Sequence, residues 1–202
     1  TDQQLNKVPY DETLLGFLDE VDPSRNNFVV VHLKGSHFNF ATRYPADRAV
    51  WTPAKGEDAN VVSYLNSIHY TDEVLRRIYE YGVSRLNMNA MVYFSDHATI
   101  PDRTRTPGFM GFGMTRIPLF VWLSDRYRAL HPGRDKALRD NAGRYFTNDL
   151  AYELMCGVFD MSSDKFDERN SLASDRYKFT RDMLLTYDGT VRIADDHTDE
   201  GK

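Results

Sequence analysis

The sequence predicts an α/β fold, in which helices cover a layered sheet with an antiparallel edge. Three continuous apolar runs are typical of buried strands, and segments with apolar residues at helical spacing alternate with them along the chain. Near the end, Asp188-Gly189 lies between two strand-like segments, a pattern typical of a tight hairpin. Because no internal linker interrupts this order, we expect one domain over residues 1–202.

The composition indicates a globular protein. The chain has 202 residues, of which 41% are hydrophobic and 13% aromatic, enough to bury a real core. Its formal net charge of -5 argues against nucleic acid as the main partner, because phosphate contacts need a basic face. No apolar stretch approaches the roughly 20 residues that span a bilayer. The single cysteine, Cys156, excludes an intrachain disulfide, and its apolar surroundings predict a buried structural thiol.

The first half of the chain is predicted to contain a helix, a strand and a second, longer helix. Residues 11–21 carry apolar side chains at helical spacing and end at a turn-like cluster. Residues 28–35 are a continuous β-branched run, as in strands covered on both faces, so His32 is expected to be a core histidine. Residues 60–81 form the long helix, which is expected to end at Gly82. The apolar positions predicted to form its buried face are Val61, Leu65, Ile68, Leu75 and Ile78.

The second half is predicted to add two strands, a helix and the hairpin. Residues 90–96 and 116–124 are the two apolar strand patterns, and residues 148–161 have helical spacing. Residues 183–193 contain the hairpin signal. The polar tail over residues 194–202 is expected to be disordered.

Two of the predicted strands end in polar side chains that suit a metal site. One strand leads into Gly35-Ser36-His37, and another leads into Ser95-Asp96-His97. Ligands of α/β sheets collect beyond the carboxyl ends of parallel strands, so neighbouring strands would bring these groups together. A carboxylate oxygen with imidazole nitrogens suits Zn²⁺ or Mn²⁺. A polar strand end without a metal is the alternative that these residues alone leave open.

Four blocks of the chain, in matching order and spacing, resemble one known family. The blocks are VVVHLKGSHFNFATRYP (29–45), YLNSIHYTDEVLRRI (64–78), VYFSDHA (92–98) and TRIPLFVWLS (115–124). They resemble the sulfatase-like branch of the alkaline phosphatase superfamily, and within it the bacterial phosphoethanolamine transferases, which decorate lipid A and other envelope glycans. The resemblance covers about residues 10–160.

The resemblance implies a fold and a set of site residues. It implies a three-layer α/β/α sandwich on a mostly parallel central sheet, followed by the C-terminal antiparallel hairpin. It implies a divalent metal, most often zinc with manganese as the alternative, and a threonine nucleophile that carries the phosphoryl group. Asp96 and His97 match the family's metal-ligand pair, and His37 matches the histidine that contacts the transferred phosphate or a second metal. Arg43 is a candidate to bind a substrate phosphate, with a structural salt bridge as the alternative.

The resemblance also implies a reaction and a location. The expected reaction moves phosphoethanolamine from a phospholipid donor to an envelope glycan or lipid acceptor. It would take place at the periplasmic face of the bacterial inner membrane, in a parent protein that is membrane-anchored. A sulfatase or a phosphoglycerol transferase on the same scaffold is the alternative among enzymes.

Three departures from the family pattern bear on activity. The family's Gly-Glu after the histidine pair is Ala98-Thr99 here, and the loop over residues 99–114 contains no histidine. The family's nucleophile lies well upstream of the run at 28–35, where this chain has little sequence, and the chain begins without Met. We therefore expect a C-terminal portion of the catalytic domain, with no catalytic nucleophile of its own and inactive alone. A degenerate, non-catalytic binding domain is the competing expectation.

Overall fold

The computed structural model describes residues 10–102, 111–187 and 189–197, which form two compact units. The first unit contains the described residues up to Met88, with Pro101 and Asp102, and the second contains Asn89–Ile100 and the described residues from 111 onward. The α-helices are Ala59–Arg85 (α1), Asp125–Leu130 (α2), Pro132–Asp140 (α3) and Ala151–Phe159 (α4). The strands are Ala90–Phe94 (β1), Leu119–Leu123 (β2), Leu185–Thr186 (β3) and Val191–Arg192 (β4). The 3₁₀ helices are Asp11–Glu20, Phe40–Thr42, Ala46–Arg48, Phe112–Met114, Asn148–Leu150, Glu168–Asn170, Arg181–Met183 and Ile193–Asp195.

The first unit is built on α1. The side chain of Asp58 starts the helix by accepting a hydrogen bond from the backbone N–H of Asn60 (2.8 Å), as an N-cap residue does. Tyr70 and Val74 then form a small core cluster with Tyr44. Burial raises the pKa of the Tyr70 hydroxyl well above its usual range, and the nearby carboxylates act in the same direction. The side chains that α1 buries are Val62, Asn66, Ser67, Tyr70, Thr71 and Val74.

The end of α1 differs from the prediction. The helix continues past Gly82 to Arg85, and Gly82 is one of its buried residues. A Cβ at Gly82 would lie 2.8 Å from the sulfur of Met88, so the glycine lets the returning chain pack closely on the helix. The carbonyl of Gly82 accepts hydrogen bonds from the N–H groups of both Leu86 (3.2 Å) and Met88 (3.0 Å). The carbonyl of Gly82 therefore binds the turn that follows the helix, and the helix itself ends later, at Arg85.

The apolar stripe predicted to be the buried face of α1 is only partly buried. Leu65 is 46% exposed and Ile68 is 38% exposed, whereas Ile78 packs against the core cluster. The most buried face of the helix combines apolar side chains with polar ones, among them Asn66, which is 2% exposed. The oxygen of Asn66 accepts hydrogen bonds from the N–H groups of Val50 (2.9 Å) and Trp51 (3.0 Å). This face is buried because loops of the first unit bind to it. The periodicity of apolar residues in the sequence does not predict such contacts.

The run at 28–35 is not a strand in this structure. It joins no sheet among the described residues, and His32 is exposed rather than a core histidine. Val31 and Leu33 are half-buried, and Leu33 packs against the cluster of Tyr44, Tyr70 and Val74. The prediction of a buried strand over 28–35 is therefore wrong for this structure.

In the second unit, β1 and β2 form an antiparallel pair. Ala90 lies opposite Leu123 and Phe94 lies opposite Leu119. Both strands were predicted, within longer ranges. Because they run antiparallel, their carboxyl ends lie at opposite ends of the pair. Both sheets of the described residues are antiparallel and two-stranded. The described part of the chain therefore contains no parallel pair of strands.

The core of the second unit lies on α4. Leu154 and Val158 are fully buried, and they belong to a cluster with Leu123 of β2 and Tyr177. The predicted helix over 148–161 is present as a 3₁₀ turn followed by α4. Cys156 is buried and free, as predicted.

The C-terminal segment forms the predicted hairpin and is more ordered than predicted. β3 and β4 pair antiparallel, and Asp188 in the predicted turn lies outside the described residues. Residues 194–196 do not follow the prediction of a disordered tail, because Asp196 is buried and its carboxylate accepts hydrogen bonds from Nε (3.0 Å) and Nη2 (2.7 Å) of Arg116. Residues 198–202 lie outside the described residues.

Candidate metal centre

The acid–imidazole pair lies in a tightly bonded turn directly after β1. One carboxylate oxygen of Asp96 accepts a hydrogen bond from the backbone N–H of His97 (2.9 Å). The hydroxyl of Ser95 donates to the carbonyl of His97 (2.9 Å). The side-chain amide of Asn148 donates to the carbonyls of Ser95 and Asp96, at 3.0 Å each. The backbone of this turn is therefore held by side chains on both sides of it.

The ring orientation of His97 leaves one nitrogen available to a metal. Its Nδ1 lies 2.8 Å from the carbonyl oxygen of Ala98. Since a carbonyl can only accept, Nδ1 carries the proton and the lone pair is on Nε2. A hydrogen bond of this kind is how metal-binding histidines are usually held.

The spacing of the two side chains fits two ligands of one cation. The free oxygen of Asp96 lies 3.8 Å from Nε2 of His97, and the Asp96 side chain is 85% exposed. Two ligands of a tetrahedral zinc ion lie roughly 3.4 Å apart, from bond lengths of about 2.1 Å. A small side-chain rotation brings the pair to that distance. In the part of the chain that the structure describes, no group of three or more His, Cys, Asp or Glu side chains is close enough to form a larger site.

His37 lies in a second turn, in the first unit, and that turn is held by a buried carboxylate. The two oxygens of Asp11 accept hydrogen bonds from the N–H groups of Lys34 (3.0 Å) and Gly35 (2.8 Å). Gly35 has a φ of +52°, a left-handed conformation that favours glycine. Nδ1 of His37 donates to the carbonyl of Phe38 (2.5 Å), so Nε2 again carries the lone pair. Both candidate histidines thus present the same nitrogen.

Arg43 lies in the loop that follows His37. Its guanidinium donates to the hydroxyl of Thr42 (2.7 Å) and to the carbonyl of Asn39 (3.4 Å). It forms no ion pair with any described residue, so the structural salt bridge considered as an alternative is absent from the described part of the chain. The loop itself is anchored by Phe40, which is 2% exposed.

The structure therefore brings Asp96 and His97 together in the second unit and places His37 and Arg43 in the first. The convergence of His37 with Asp96 and His97 in one cavity stays a prediction. Sequence reasoning missed two residues that hold the turns, Asp11 and Asn148. An acidic residue or an asparagine at the start of a helical pattern is an ordinary capping signal, and this signal does not reveal a contact with a distant turn.

The structure thus has an acid–imidazole pair at the end of a strand, with helices packed on the sheet. This arrangement agrees with the family that the sequence blocks resemble. The sulfatase family profile matches residues 2–156. Because this match covers well over half of the chain, the chain belongs to the sulfatase family.

Two curated relatives show which members of the family are similar. YhbX of Escherichia coli K12 is 31% identical over 199 residues, covering 94% of this chain and 33% of YhbX. The Kdo(2)-lipid A phosphoethanolamine 7''-transferase of Salmonella typhimurium is 32% identical over 121 residues, covering 54% of this chain and 21% of that protein. The chain thus spans a third or less of the length of these two relatives.

The solved structures agree with the fold assignment. The C-terminal periplasmic domain of EptC from Escherichia coli matches with a TM-score of 0.73 and 26% identity, covering 90% of this chain and 58% of that domain. The same domain in complex with zinc matches with a TM-score of 0.70 and 25% identity, covering 92% of this chain and 58% of that domain. The α/β class predicted from the sequence is therefore confirmed. Within the described residues, no helix is long and apolar enough to cross a membrane.

Proposed function

We propose that this chain is the part of a phosphoethanolamine transferase catalytic domain that contributes Asp96 and His97 to a divalent metal site. The observation that carries the proposal is the paired geometry of these side chains, with Nε2 of His97 available and a carboxylate oxygen 3.8 Å away. The zinc complex of the EptC domain makes zinc the first metal to test.

The chemistry of the site follows from this arrangement. A zinc ion bound there supplies Lewis-acid chemistry to a phosphoryl group. Asp96 and His97 hold it, and the hydrogen bond from Asn148 keeps their backbone in place. His37 orients the phosphate through Nε2, and Arg43 binds a phosphate oxygen. The nucleophile is expected upstream of the run at 28–35, so this chain alone is expected to be inactive.

The proposed reaction moves phosphoethanolamine from a phospholipid donor to a lipid A-type or glycan acceptor on the periplasmic side of the inner membrane. The similarity to a Kdo(2)-lipid A phosphoethanolamine transferase and to a periplasmic EptC domain supports this assignment. The parent protein is proposed to be membrane-anchored, as the family resemblance implies.

Equilibrium dialysis against zinc, with metal content measured by mass spectrometry, tests the metal site. We expect the chain to bind zinc weakly, because Asp96 and His97 are two of the three or four ligands that a zinc site needs, and we expect His97→Gln to bind less. His131→Gln is the matched control in the same unit, because His131 packs on the ring of Tyr127 (centroids 4.7 Å apart) and should not contribute. Equal zinc binding by all three proteins would reject Asp96 and His97 as the ligands.

A transfer assay with a phosphoethanolamine lipid donor tests the expected lack of a nucleophile. We expect no turnover from this chain alone, and robust turnover would refute that expectation.

A non-catalytic binding domain is the second candidate. Ala98-Thr99 in place of the family's Gly-Glu and the lack of a three-ligand cluster among the described residues favour it. It predicts that none of the three proteins in the dialysis experiment retains zinc.

A further inference from the structure

The second unit contains a pocket between its pair of strands and α3. The pocket has a volume of about 560 Å³, within the range of about 300–1,000 Å³ that is typical of small-molecule sites. Its walls come from β1, β2, α3 and the turn that follows α3, and all of these elements belong to the second unit. Leu119, Val121 and Leu123 are alternate residues of β2, so they turn the same face of the strand to the pocket. With them, the apolar lining includes Phe94, Leu138 and Phe146.

Positive charge lies at the solvent side of the pocket. Among the described residues that line it, three are arginines and one is acidic, namely Arg128, Arg139, Arg144 and Asp135. The side chains of Arg139 and Arg128 are 63% and 38% exposed, whereas that of Asp135 is 23% exposed. The margin of the pocket therefore carries a net positive charge next to an apolar lining.

The arginines are held in place by contacts with neighbouring groups. Nε of Arg139 donates to one carboxylate oxygen of Asp135 (3.1 Å), and Nε of Arg128 lies 3.5 Å from the other oxygen. Nη2 of Arg144 donates to the carbonyl of Phe179 (2.7 Å). Side chains that are already fixed lose little conformational entropy when they bind an anion, so this pocket is preorganised for one.

We propose that this pocket binds an anionic amphiphile, which places one alkyl chain on the apolar lining and a phosphate head group on the arginines. Guanidinium groups bind phosphate oxygens through charge-assisted hydrogen bonds, and an alkyl chain removes the apolar lining from water. An uncharged chain satisfies only the apolar part of the pocket, and inorganic phosphate satisfies only the cationic part. The two surfaces together therefore select a molecule that has both groups.

The pocket is a neighbour of the candidate metal centre. Phe94 directly precedes the turn that contains Asp96 and His97. Asn148, which binds the backbone of that turn, lies two residues after Phe146. Under the proposed function, an alkyl chain of the lipid substrate occupies the pocket beside the metal. This placement rests on the proposed function, whereas binding of the amphiphile does not.

Isothermal titration calorimetry with dodecyl phosphate, at concentrations below those that form micelles, tests the proposal. We expect one molecule to bind per chain. Decyl phosphate should bind about 15-fold more weakly, because each buried methylene strengthens binding about fourfold. Dodecyl maltoside, which has the same alkyl chain and no charge, should bind more weakly by about tenfold or more. A chelator is present throughout, so the outcome does not depend on the metal assignment of Asp96 and His97.

Two alanine positions test whether the ligand occupies this pocket. Ala142 lines the pocket and is exposed, so Ala142→Trp fills the space without removing a packed side chain and should abolish binding. Ala129→Trp is the matched control, because Ala129 is an exposed residue of α2 outside the pocket lining and should leave binding unchanged. Equal far-UV circular dichroism of the two variants shows that both are folded.

Two positions on α3 test the role of the arginines. Arg139→Gln should weaken the binding of dodecyl phosphate by about fivefold, because it removes one exposed charge from the margin of the pocket. Lys136→Gln is the matched control, because Lys136 is a cation of the same helix that also pairs with an aspartate and does not line the pocket. The binding of dodecyl maltoside should be the same in both variants.

Methyl resonances of the unmodified chain locate the ligand without any substitution. Dodecyl phosphate should shift the methyl signals of Leu119, Val121 and Leu138, and it should leave those of Val62 and Val74 in the first unit unchanged.

Three results would overturn the proposal. The first is a lack of binding, or equal affinities for dodecyl phosphate and dodecyl maltoside, because no anionic amphiphile is then selected. The second is full binding by Ala142→Trp, because the ligand then lies elsewhere. The third is a set of methyl shifts that does not include the residues lining the pocket.

Discussion

Removal of the Asp11 carboxylate should destabilise the first unit and release the turn that presents His37. Asp11 is 5% exposed, and its two oxygens accept the N–H groups of Lys34 and Gly35, which lie more than twenty residues further along the chain. In Asp11→Ala, both amides lose their acceptor in a partly buried place. Among the described residues, no other hydrogen bond then holds the backbone N–H groups of Lys34 and Gly35.

The expected loss follows from the number and type of these bonds. A hydrogen bond to a charged group contributes about 1.5–3 kcal/mol, and water can reach part of the space left by the carboxylate. We therefore expect Asp11→Ala to lower the free energy of unfolding by about 2–4 kcal/mol. Asp11→Asn keeps one acceptor oxygen and should give an intermediate loss.

Urea denaturation followed by far-UV circular dichroism measures this loss, because α1 dominates the helical signal of the first unit. Asp22→Ala is the matched control. The Asp22 carboxylate also accepts a backbone N–H, that of Ser24 (2.9 Å), but it is exposed, so water replaces it and little change is expected. Equal unfolding midpoints for the two variants, or unchanged exchange at the amides of Lys34 and Gly35, would refute the reasoning.

Two further predictions concern the core of the second unit. Burial raises the pKa of the Tyr177 hydroxyl from 10.0 to about 12, so the stability that its protonated form contributes is present below pH 10 and is lost as the pH rises through 12. The tyrosinate absorbance of Tyr177→Phe should therefore lack a component that titrates near pH 12. Gly157→Ala should lower the free energy of unfolding, measured in urea, by about 1–3 kcal/mol, because its Cβ would lie 2.4 Å from the buried hydroxyl of Ser171. Gly143→Ala should leave the free energy of unfolding unchanged, because a Cβ there meets nothing within 4 Å. A Tyr177→Phe titration identical to that of the unmodified chain, or equal stability of the two alanine variants, would contradict these expectations.

The sequence was sufficient for features that neighbouring residues specify. Asp96 and His97 are adjacent in the chain, so any fold that leaves their side chains on one side of the turn brings them together. The helix α1 was predicted within a few residues, because helical spacing is a local signal. The antiparallel hairpin at the end was predicted for the same reason.

Tertiary contacts decided the features that distant residues specify. Leu65 and Ile68 of the predicted stripe are exposed, whereas the polar Asn66 is buried, because a loop from elsewhere in the first unit binds its side chain. The clamp by Asp11 joins positions far apart in sequence.

What the sequence determined by itself was the family, the α/β class and the adjacent acid–imidazole pair, all of which depend on short blocks of residues. Only the tertiary structure decided which face of α1 is buried, that β1 and β2 run antiparallel, and that the run at 28–35 joins no sheet among the described residues. The physical reason is that periodicity and caps act within a few residues, whereas burial and strand pairing depend on which surfaces the rest of the polypeptide brings to them.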